Sequence, residues 1–218
     1  MAIPARLWPR RATLPSTIHL TPLWRRRPVL CATVLVTTLL AFIARDGSSS
    51  GNDDFARYHD RIFAVTRILD GDTFEIDAPD GSYASTRVRL WGVDSPETAH
   101  GPNDAMHYGP EASAFARRLL SGRSVRILLC DRQTRDKYDR LLAYAVLETT
   151  GENFNELLLS EGMAYADWRF PHPLSNEFKK RERDARKNGI GLWADITPEQ
   201  MPFWRREFAE RLAAAPPP

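Results

Sequence analysis

Cysteine is nearly absent from this 218-residue chain, which contains only Cys31 and Cys130. Two cysteines cannot supply the several disulfides of a small disulfide-rich domain or the four ligands of a structural zinc site. Cys31 also lies inside an apolar run near the N-terminus, so we expect no pairing with Cys130. The sequence therefore argues against a disulfide scaffold, a zinc module and a thiol enzyme.

An excess of one charge sign is also lacking, since the formal net charge is +2. The first 54 residues carry +4 and the remaining residues carry −2. A protein that binds nucleic acid through a broad basic face needs many more positive groups than negative ones. Any contact between the body of this chain and a polyanion must therefore come from a few local cations.

Long apolar runs are missing except for residues 28–44, which contain no charged side chain and follow Arg25, Arg26 and Arg27. As a helix this run would extend about 26 Å, close to the hydrocarbon core of a bilayer at about 30 Å. We expect a membrane segment, either an uncleaved signal anchor or a cleaved signal peptide. The basic region 1–27 would stay in the cytoplasm and the body would lie outside, membrane-attached or secreted.

After a linker over residues 45–59, short apolar runs alternate with turn residues. Strands are predicted over residues 63–69, 73–76, 86–93, 125–130 and 141–147, with a helix over residues 111–120 between the third and the fourth. This order predicts a five-stranded OB-fold barrel with α-helices, an α+β domain over residues 60–195. Helices follow over residues 155–161 and 175–187, and a further one opens at Thr197 in the extension over residues 196–218.

Two acidic motifs lie at strand ends. Asp70 and Asp72 flank a glycine between the first two strands, and Asp94 and Glu97 follow the third strand. Each motif alone is typical of a turn. Together they suggest that the carboxylates of Asp72 and Asp94 converge on one hard cation, which prefers several oxygen ligands. Glu97 is not needed as a ligand in this arrangement and could hold a water molecule.

Positive and aromatic side chains complete a candidate phosphoryl-transfer site. Arg89 precedes Asp94 on the same strand, and a polar segment supplies Lys137, Tyr138 and Arg140. A guanidinium group can donate two parallel hydrogen bonds to the oxygens of one phosphate, and it stays charged at neutral pH. The rings of Tyr138 and Trp168 offer flat faces for a nucleobase, although such aromatics are more often part of a core.

Four sequence runs together resemble the staphylococcal nuclease, or thermonuclease, family. They keep the family's order and spacing over residues 60–194, which also include Asn155, Glu156 and a closing Gly-Leu-Trp. The runs are LDGDTF at residues 69–74, RLWGVDSPET at residues 89–98, YGPEASAF at residues 108–115 and TRDKYDRLLAY at residues 134–144. The resemblance implies an SNase-like OB-fold nuclease that cleaves DNA or RNA to 3′-phosphate ends with Ca²⁺.

The resemblance also implies roles for individual residues. It places Ca²⁺ on the carboxylates of Asp72 and Asp94 and on the carbonyl of Ser95, with Asp70 behind them. Glu97 would be the base that activates water, and Arg89 and Arg140 would bind the phosphate. Lys137 and Tyr138 would contact the nucleotide, and Trp168 stands where the family has a ring-stacking tyrosine. Asp139 stands where the family commonly has a glycine.

Two other interpretations stay open. In the first, a non-catalytic SNase-like OB-fold module binds nucleic acid or a protein partner, although Asp72, Arg89, Asp94, Glu97 and Arg140 are all present. In the second, aromatic residues of the C-terminal extension dock a partner, although packing on the barrel is the favoured explanation for them. Those residues include Phe203, Trp204, Phe208 and Leu212. No feature of the sequence points to an obligate protein partner, and the predicted partners are a DNA or RNA substrate and a membrane.

Overall fold

The computed structural model of the protein describes residues 50–98, 105–130 and 133–207. The predicted membrane segment 28–44 and the basic region 1–27 lie outside the described residues, as do residues 45–49 and 208–218. Within the described part of the chain, no helix has the length and apolar character needed to cross a membrane.

Five strands close into a barrel in the order β1-β2-β3-β6-β5, and a short pair, β4 and β7, forms a separate two-stranded sheet. All neighbouring barrel strands are antiparallel except β3 and β6. The strands are β1 (Arg61–Ile68), β2 (Thr73–Ile76), β3 (Thr86–Leu90), β4 (Val93–Asp94), β5 (Ser124–Leu128), β6 (Leu141–Leu147) and β7 (Tyr165–Ala166). The closed five-stranded barrel predicted from the sequence is confirmed.

Helices surround this barrel. They are α1 (Ser50–Tyr58), α2 (Gly109–Leu120), α3 (Phe154–Ser160) and α4 (Ser175–Lys187), followed by 3₁₀ helices at Gly191–Ala194 and Pro198–Gln200. Thr197 and Gln200 form the expected capping box, but the helix that it opens is a single 3₁₀ turn. Residues 203–207 are again helical.

Alternating side chains on the strands fill the barrel. On β3, Thr86, Val88 and Leu90 are buried, whereas Arg87 is exposed and Arg89 is half-buried. Successive side chains of a strand point to opposite faces, so an inward Val88 requires an outward Arg89. The same alternation that builds the core therefore carries Arg89 to the outer face, beside the site described below.

Asn155, at the start of α3, joins this helix to the barrel. Its Nδ2 donates to the carbonyl of Trp91 at 2.9 Å, and its Oδ1 accepts the backbone N–H of Ala145 at 3.1 Å. The side chain is fully buried, where unpaired polar groups are costly, so these bonds fix the helix on the strand ends.

The prediction of one continuous strand over residues 86–93 is wrong, because the structure divides this segment into two strands. β3 ends at Leu90, and Gly92 has a φ of 76° before the chain resumes as β4. A Cβ atom at Gly92 would lie 2.3 Å from Nε2 of His172. The break turns Asp94 away from the barrel wall and pairs it with Tyr165 of β7.

The expectation of a linker over residues 45–59 is also wrong for its second half. Residues 50–58 form α1, in which Tyr58 is fully buried and Asp54 is 5% exposed. Asp54 binds Arg135 through both carboxylate oxygens, at 2.7 and 2.9 Å. This ion pair and the burial of Tyr58 attach α1 to the barrel, a long-range arrangement that a composition rich in Gly, Ser and Asp did not indicate.

Candidate active site

A cavity of about 580 Å³ opens where the β1–β2 turn, the end of β4 and the segment before β6 meet. Its lining includes most of the residues predicted from the sequence. Those residues are Asp70, Asp72, Arg89, Asp94, Glu97, Lys137, Tyr138 and Arg140. Groups from four separate stretches of the chain therefore converge on one cavity.

The β1–β2 turn places Asp72 at the cavity. Asp70 accepts the backbone N–H of Asp72 through Oδ1 at 3.0 Å, which closes the turn. Gly71 does not adopt the left-handed conformation that its position in an Asp-Gly turn suggests. A Cβ atom there would instead lie 2.8 Å from the side chain of Ser95. Glycine is required at this position because the turn approaches Ser95 closely.

Asp72 and Ser95 form the junction between the turn and the end of β4. The backbone N–H of Ser95 donates to Oδ2 of Asp72 at 2.6 Å, and the Thr73 hydroxyl donates to Oδ1 at 3.0 Å. Asp72 and Ser95 are both about 95% buried. These bonds hold the Asp72 carboxylate in one orientation. The bond from Ser95 joins two parts of the chain that are 23 residues apart in the sequence.

Arg89 bridges the two carboxylates that the sequence assigned to a metal. Its Nη2 donates to Oδ1 of Asp94 at 2.7 Å, and its Nη1 pairs with Oδ2 of Asp72. Burial opposes the charged guanidinium, but Asp72 and Asp94 outweigh burial and raise the pKa of Arg89. Arg89 is therefore a fixed cation at the base of the cavity.

The site contains more carboxyl groups than arginine side chains that could balance their charge. Burial, together with the charge of Asp72, raises the pKa of Asp70 to about 7. Burial also raises the pKa of Asp94 to about 6, although Arg89 opposes that shift. The negative charge of these three carboxyl groups is only partly balanced by Arg89 and Arg169, because Arg169 also pairs with Asp167, so an additional cation would stabilise their ionised forms.

This set of donors fits a hard divalent cation. The oxygen atoms of Asp72 and Asp94 and nearby backbone carbonyls are the ligands that Ca²⁺ prefers, and water or substrate would complete its six to eight positions. Across residues 50–98, 105–130 and 133–207, no three His, Cys, Asp or Glu side chains are arranged to hold a metal by themselves.

Asp136 organises the opposite wall of the cavity. It accepts the backbone N–H groups of Tyr138 and Arg140 at 2.9 and 3.0 Å through Oδ1. Its Oδ2 accepts Nε of Arg140 at 2.7 Å. Tyr138 is 67% exposed, and Nζ of Lys137 lies 4.8 Å from its ring centre. A cation and an accessible aromatic face therefore stand beside Arg140.

Asp139, which replaces the glycine common in the family, has a φ of 62°. Aspartate enters this left-handed region more readily than most residues because its short side chain forms local polar contacts. Here the carboxylate lies 3.7 Å from Arg135. The substitution therefore keeps the turn and leaves Arg140 on the cavity wall.

Trp168, like the buried Ser95, is a predicted residue that does not line the cavity. Its ring packs against Trp204 at 5.3 Å and 72°, and it lies outside the cavity lining. Two residues further on, Phe170 is 56% exposed and lines the cavity. The chain makes a turn at residues 168 and 169, after β7, and this turn leaves Trp168 against the C-terminal extension and Phe170 at the opening.

Three residues at the site were missed by the sequence interpretation. Arg169 lines the cavity and donates to Asp94 at 3.3 Å and to Asp167 at 2.8 Å. Asp136 could have been found from its four-residue spacing to Arg140. Trp204, whose Nε1 donates to Oδ2 of Asp94 at 2.8 Å, offered no local signal because 110 residues separate the partners.

The arrangement has the parts for acting on a phosphodiester. Arg89 and Arg140 supply guanidinium groups for phosphate oxygens, while the Glu97 side chain lines the same cavity and has an acid-base function available. Met106 donates to the Glu97 carbonyl at 3.0 Å, which fixes the backbone of this residue beside the start of α2. Charge stabilisation and proton transfer are thus available in one cavity.

Comparisons with known proteins agree with this chemistry. A family model described as "Staphylococcal nuclease homologue" matches residues 87–195. A thermonuclease of Staphylococcus intermedius is 34% identical over 169 residues, which cover 76% of this chain and 94% of that protein. A thermonuclease of Staphylococcus hyicus is 31% identical over 77% of this chain and 95% of its own length. A micrococcal nuclease of Shigella flexneri is 30% identical over 65% of this chain and 79% of its own length.

Proposed function

Because this chain belongs to the staphylococcal nuclease family and is therefore a nuclease that hydrolyses phosphodiester bonds, we propose that it is a Ca²⁺-dependent enzyme that cleaves DNA, RNA or both. The observation that carries the proposal is the cavity that gathers Asp72, Arg89, Asp94, Glu97 and Arg140. A non-catalytic module that only binds nucleic acid has no need for this combination of acid, base and paired guanidinium groups. Cleavage without selection of the sugar is consistent with contacts to phosphate and ring faces.

In the proposed mechanism, Glu97 holds a water molecule and takes its proton as the oxygen attacks phosphorus. The bond between phosphorus and the 5′-oxygen breaks, the leaving oxygen takes a proton from solvent, and a 3′-phosphate and a 5′-hydroxyl remain. Arg140, with Arg89 behind it, stabilises the negative charge that grows on the phosphate oxygens. Asp72, Asp94 and the Ser95 carbonyl would hold Ca²⁺, which acts as a Lewis acid toward the phosphate when bound.

Lys137 and Tyr138 would bind the nucleotide beside the cleaved bond. Lys137 would neutralise a neighbouring phosphate, and the accessible ring of Tyr138 would stack on the base or sugar. Stacking on a ring face does not depend on base identity, which suits a nuclease of low sequence preference. We assign no stacking role to Trp168 because its ring packs on Trp204.

We further propose that the enzyme acts outside the cytoplasm, membrane-tethered or secreted. The support is the uncharged run 28–44 and the arginines before it. Millimolar extracellular Ca²⁺ would suit a site with few protein ligands. Protease added outside the inner membrane should digest the body in cells, whereas full-length protein found free in the cytoplasm would contradict this localisation.

The nuclease proposal is tested by comparing the full-length protein with a Glu97→Gln variant on denatured DNA and on RNA. We expect wild-type cleavage with Ca²⁺, none with a chelator, and a reduction of turnover by about 10²–10⁴-fold in the variant, since that is the usual contribution of a general base. Glu148→Gln, on the far side of the barrel beside Arg126, is the matched control and should keep full turnover. Binding of DNA without Ca²⁺-dependent cleavage would instead support the non-catalytic module.

A further inference from the structure

Asp94 receives a hydrogen bond from outside the part of the chain that matches the family. Nε1 of Trp204 donates to Oδ2 of Asp94 at 2.8 Å, whereas Arg89 donates to Oδ1 at 2.7 Å. The family match ends at residue 195, so Trp204 belongs to the C-terminal extension. The extension therefore contacts the proposed Ca²⁺ ligand directly.

The Trp204 indole is itself held from several sides. Its ring meets the ring of Tyr165 edge-on at 6.4 Å, and the Arg169 guanidinium lies 4.2 Å from its ring centre. Arg169 also donates to Oδ2 of Asp94, at 3.3 Å. Two donors on the same oxygen restrict rotation of the Asp94 carboxylate about its Cβ–Cγ bond.

The next residue anchors the extension to the strand opposite Asp94. Arg205 pairs with Glu182 at 2.7 Å, and Glu182 accepts the backbone N–H of Ala166 at 3.2 Å. Ala166 belongs to β7, which pairs with the β4 strand that carries Asp94. Glu182 is only 8% exposed, so this ion pair is protected from solvent. The position of Trp204 relative to Asp94 is therefore set by the fold.

We propose that Trp204 is a positioning residue that fixes Oδ2 of Asp94 and so presents this carboxylate to Ca²⁺. The inference rests on the proposed function, because it assigns a purpose to Trp204 only if Asp94 is a metal ligand. Hydrogen bonds that orient a ligating carboxylate are general features of metal sites, and their loss typically weakens metal binding by 10–100-fold. The C-terminal extension then contributes a positioning residue to the active site. Trp204 is explained by this role without a docked partner.

The test compares Ca²⁺ binding by the full-length wild-type protein and Trp204→Phe, measured by isothermal titration without substrate. Phenylalanine keeps a ring beside Tyr165 and Arg169 but has no N–H to donate. We expect the dissociation constant for Ca²⁺ to rise about tenfold. At saturating Ca²⁺ most of kcat should return, and KM for DNA should stay unchanged.

Trp193→Phe is the matched control. Trp193 lies in the same small hydrophobic cluster as Trp204 and also packs on Tyr165, at 5.5 Å. Within the described residues, its buried Nε1 donates to no acceptor. This variant removes an indole N–H and perturbs packing without touching Asp94, so it should keep wild-type Ca²⁺ affinity.

A spectroscopic readout separates positioning from packing. In protein labelled with ¹⁵N at tryptophan, the indole resonance lost in Trp204→Phe identifies Trp204, and we expect it to shift when Ca²⁺ is added. If wild-type protein binds Ca²⁺ and Trp204→Phe binds it within twofold, the positioning role is refuted while the proposed function stands. Tighter binding by the variant would also refute it, because Trp204 would then compete with the metal. If wild-type protein binds no Ca²⁺, the proposed function fails and this inference fails with it.

Discussion

The two walls of the cavity differ in how the protein holds them. On one wall, the carboxylate half, Asp72 and Asp94 are carried on or beside strands and share the buried Arg89. On the other, the loop half, Arg140 pairs with Asp136 of the same turn, and Tyr138 is largely exposed. The carboxylates of the first wall are held by contacts between distant parts of the chain, whereas the bonds from Asp136 that orient Arg140 lie within five residues.

Because of this difference, Arg89 and Arg140 contribute unequally to the stability of the fold. Arg89 pairs with both Asp72 and Asp94. Without it, Asp72 would keep the Ser95 N–H and the Thr73 hydroxyl as neutral donors but would lose its ion pair, while Asp94 would keep Arg169. Arg140 can be removed and Asp136 still accepts two backbone N–H groups. We therefore expect stability and catalysis to be coupled in the carboxylate half and largely independent in the loop half.

The largest effect on stability should come from Arg89→Met. Methionine fills much of the same volume but cannot neutralise Asp72 and Asp94, and breaking a buried ion pair typically costs 3–5 kcal/mol. We expect a loss of about that size in the free energy of unfolding at pH 7, measured by urea denaturation without Ca²⁺. Added Ca²⁺ should restore part of the loss, because a ligand that binds only the folded state stabilises it.

Arg87→Met on the same strand is the control for Arg89→Met. The Arg87 side chain is 50% exposed and lies 3.6 Å from Glu75, so its loss should change stability by less than about 1 kcal/mol. Equal effects of the two substitutions would mean that the carboxylate half is not held by its buried charges.

The next effect concerns His172, which packs behind the carboxylate half. Its Nδ1 lies 2.8 Å from the hydroxyl of Tyr144, its Nε2 faces Gly92, and Asp167 and Lys179 are the charged groups nearest to it. Burial lowers the pKa of His172 to about 4 from the ordinary 6.5. At His172, the unfolded chain therefore binds more protons than the folded chain between pH 6.5 and pH 4.

The contribution of His172 to stability should consequently be complete above pH 6.5 and fall by about 2–3 kcal/mol as the pH drops to 4, at roughly 1.4 kcal/mol per pKa unit, while the raised pKa values of Asp70 and Asp94 act in the opposite direction. The stability of wild type relative to His172→Phe, measured by urea denaturation at each pH, should therefore fall by that amount over this range. His107→Gln, at a histidine whose partner Asp195 is mostly exposed, is the matched control and should keep the wild-type slope. Identical slopes in wild type and His172→Phe would show that His172 does not cause this pH dependence.

The carboxylate half was largely predictable from the sequence because its residues lie in short motifs at strand ends. Alternation predicted the strands, and turn residues predicted where Asp72 and Asp94 would fall. The break at Gly92 was not predictable from this pattern, since the strand periodicity continues to Val93 and the interruption depends on the approach of His172. Close contacts between distant segments leave no periodic signal.

Two contacts between residues far apart in the sequence were missed for the same reason. The pairing of Asp54 with Arg135 spans 81 residues and the contact of Trp204 with Asp94 spans 110. Neither pair is linked by a motif, and the aromatic residues of the extension were interpreted as packing on the barrel rather than as part of the site. Trp168 was assigned to the cavity from the family resemblance, whereas the turn after β7 brings Phe170 to the opening instead.

The smallest effect on stability should come from Arg140→Ala, which tests the loop half. The Arg140 side chain is 24% exposed and its pairing with Asp136 is partly screened by solvent, so we expect the free energy of unfolding to fall by no more than about 1 kcal/mol. Turnover on denatured DNA should nevertheless fall by about 10²–10³-fold, because a preorganised donor to the reacting phosphate is lost. Urea denaturation and single-turnover cleavage at saturating Ca²⁺ measure the two quantities on the same preparation. A loss of stability comparable to that of Arg89→Met would show that Arg140 also supports the fold, and the contrast between the two walls would then disappear.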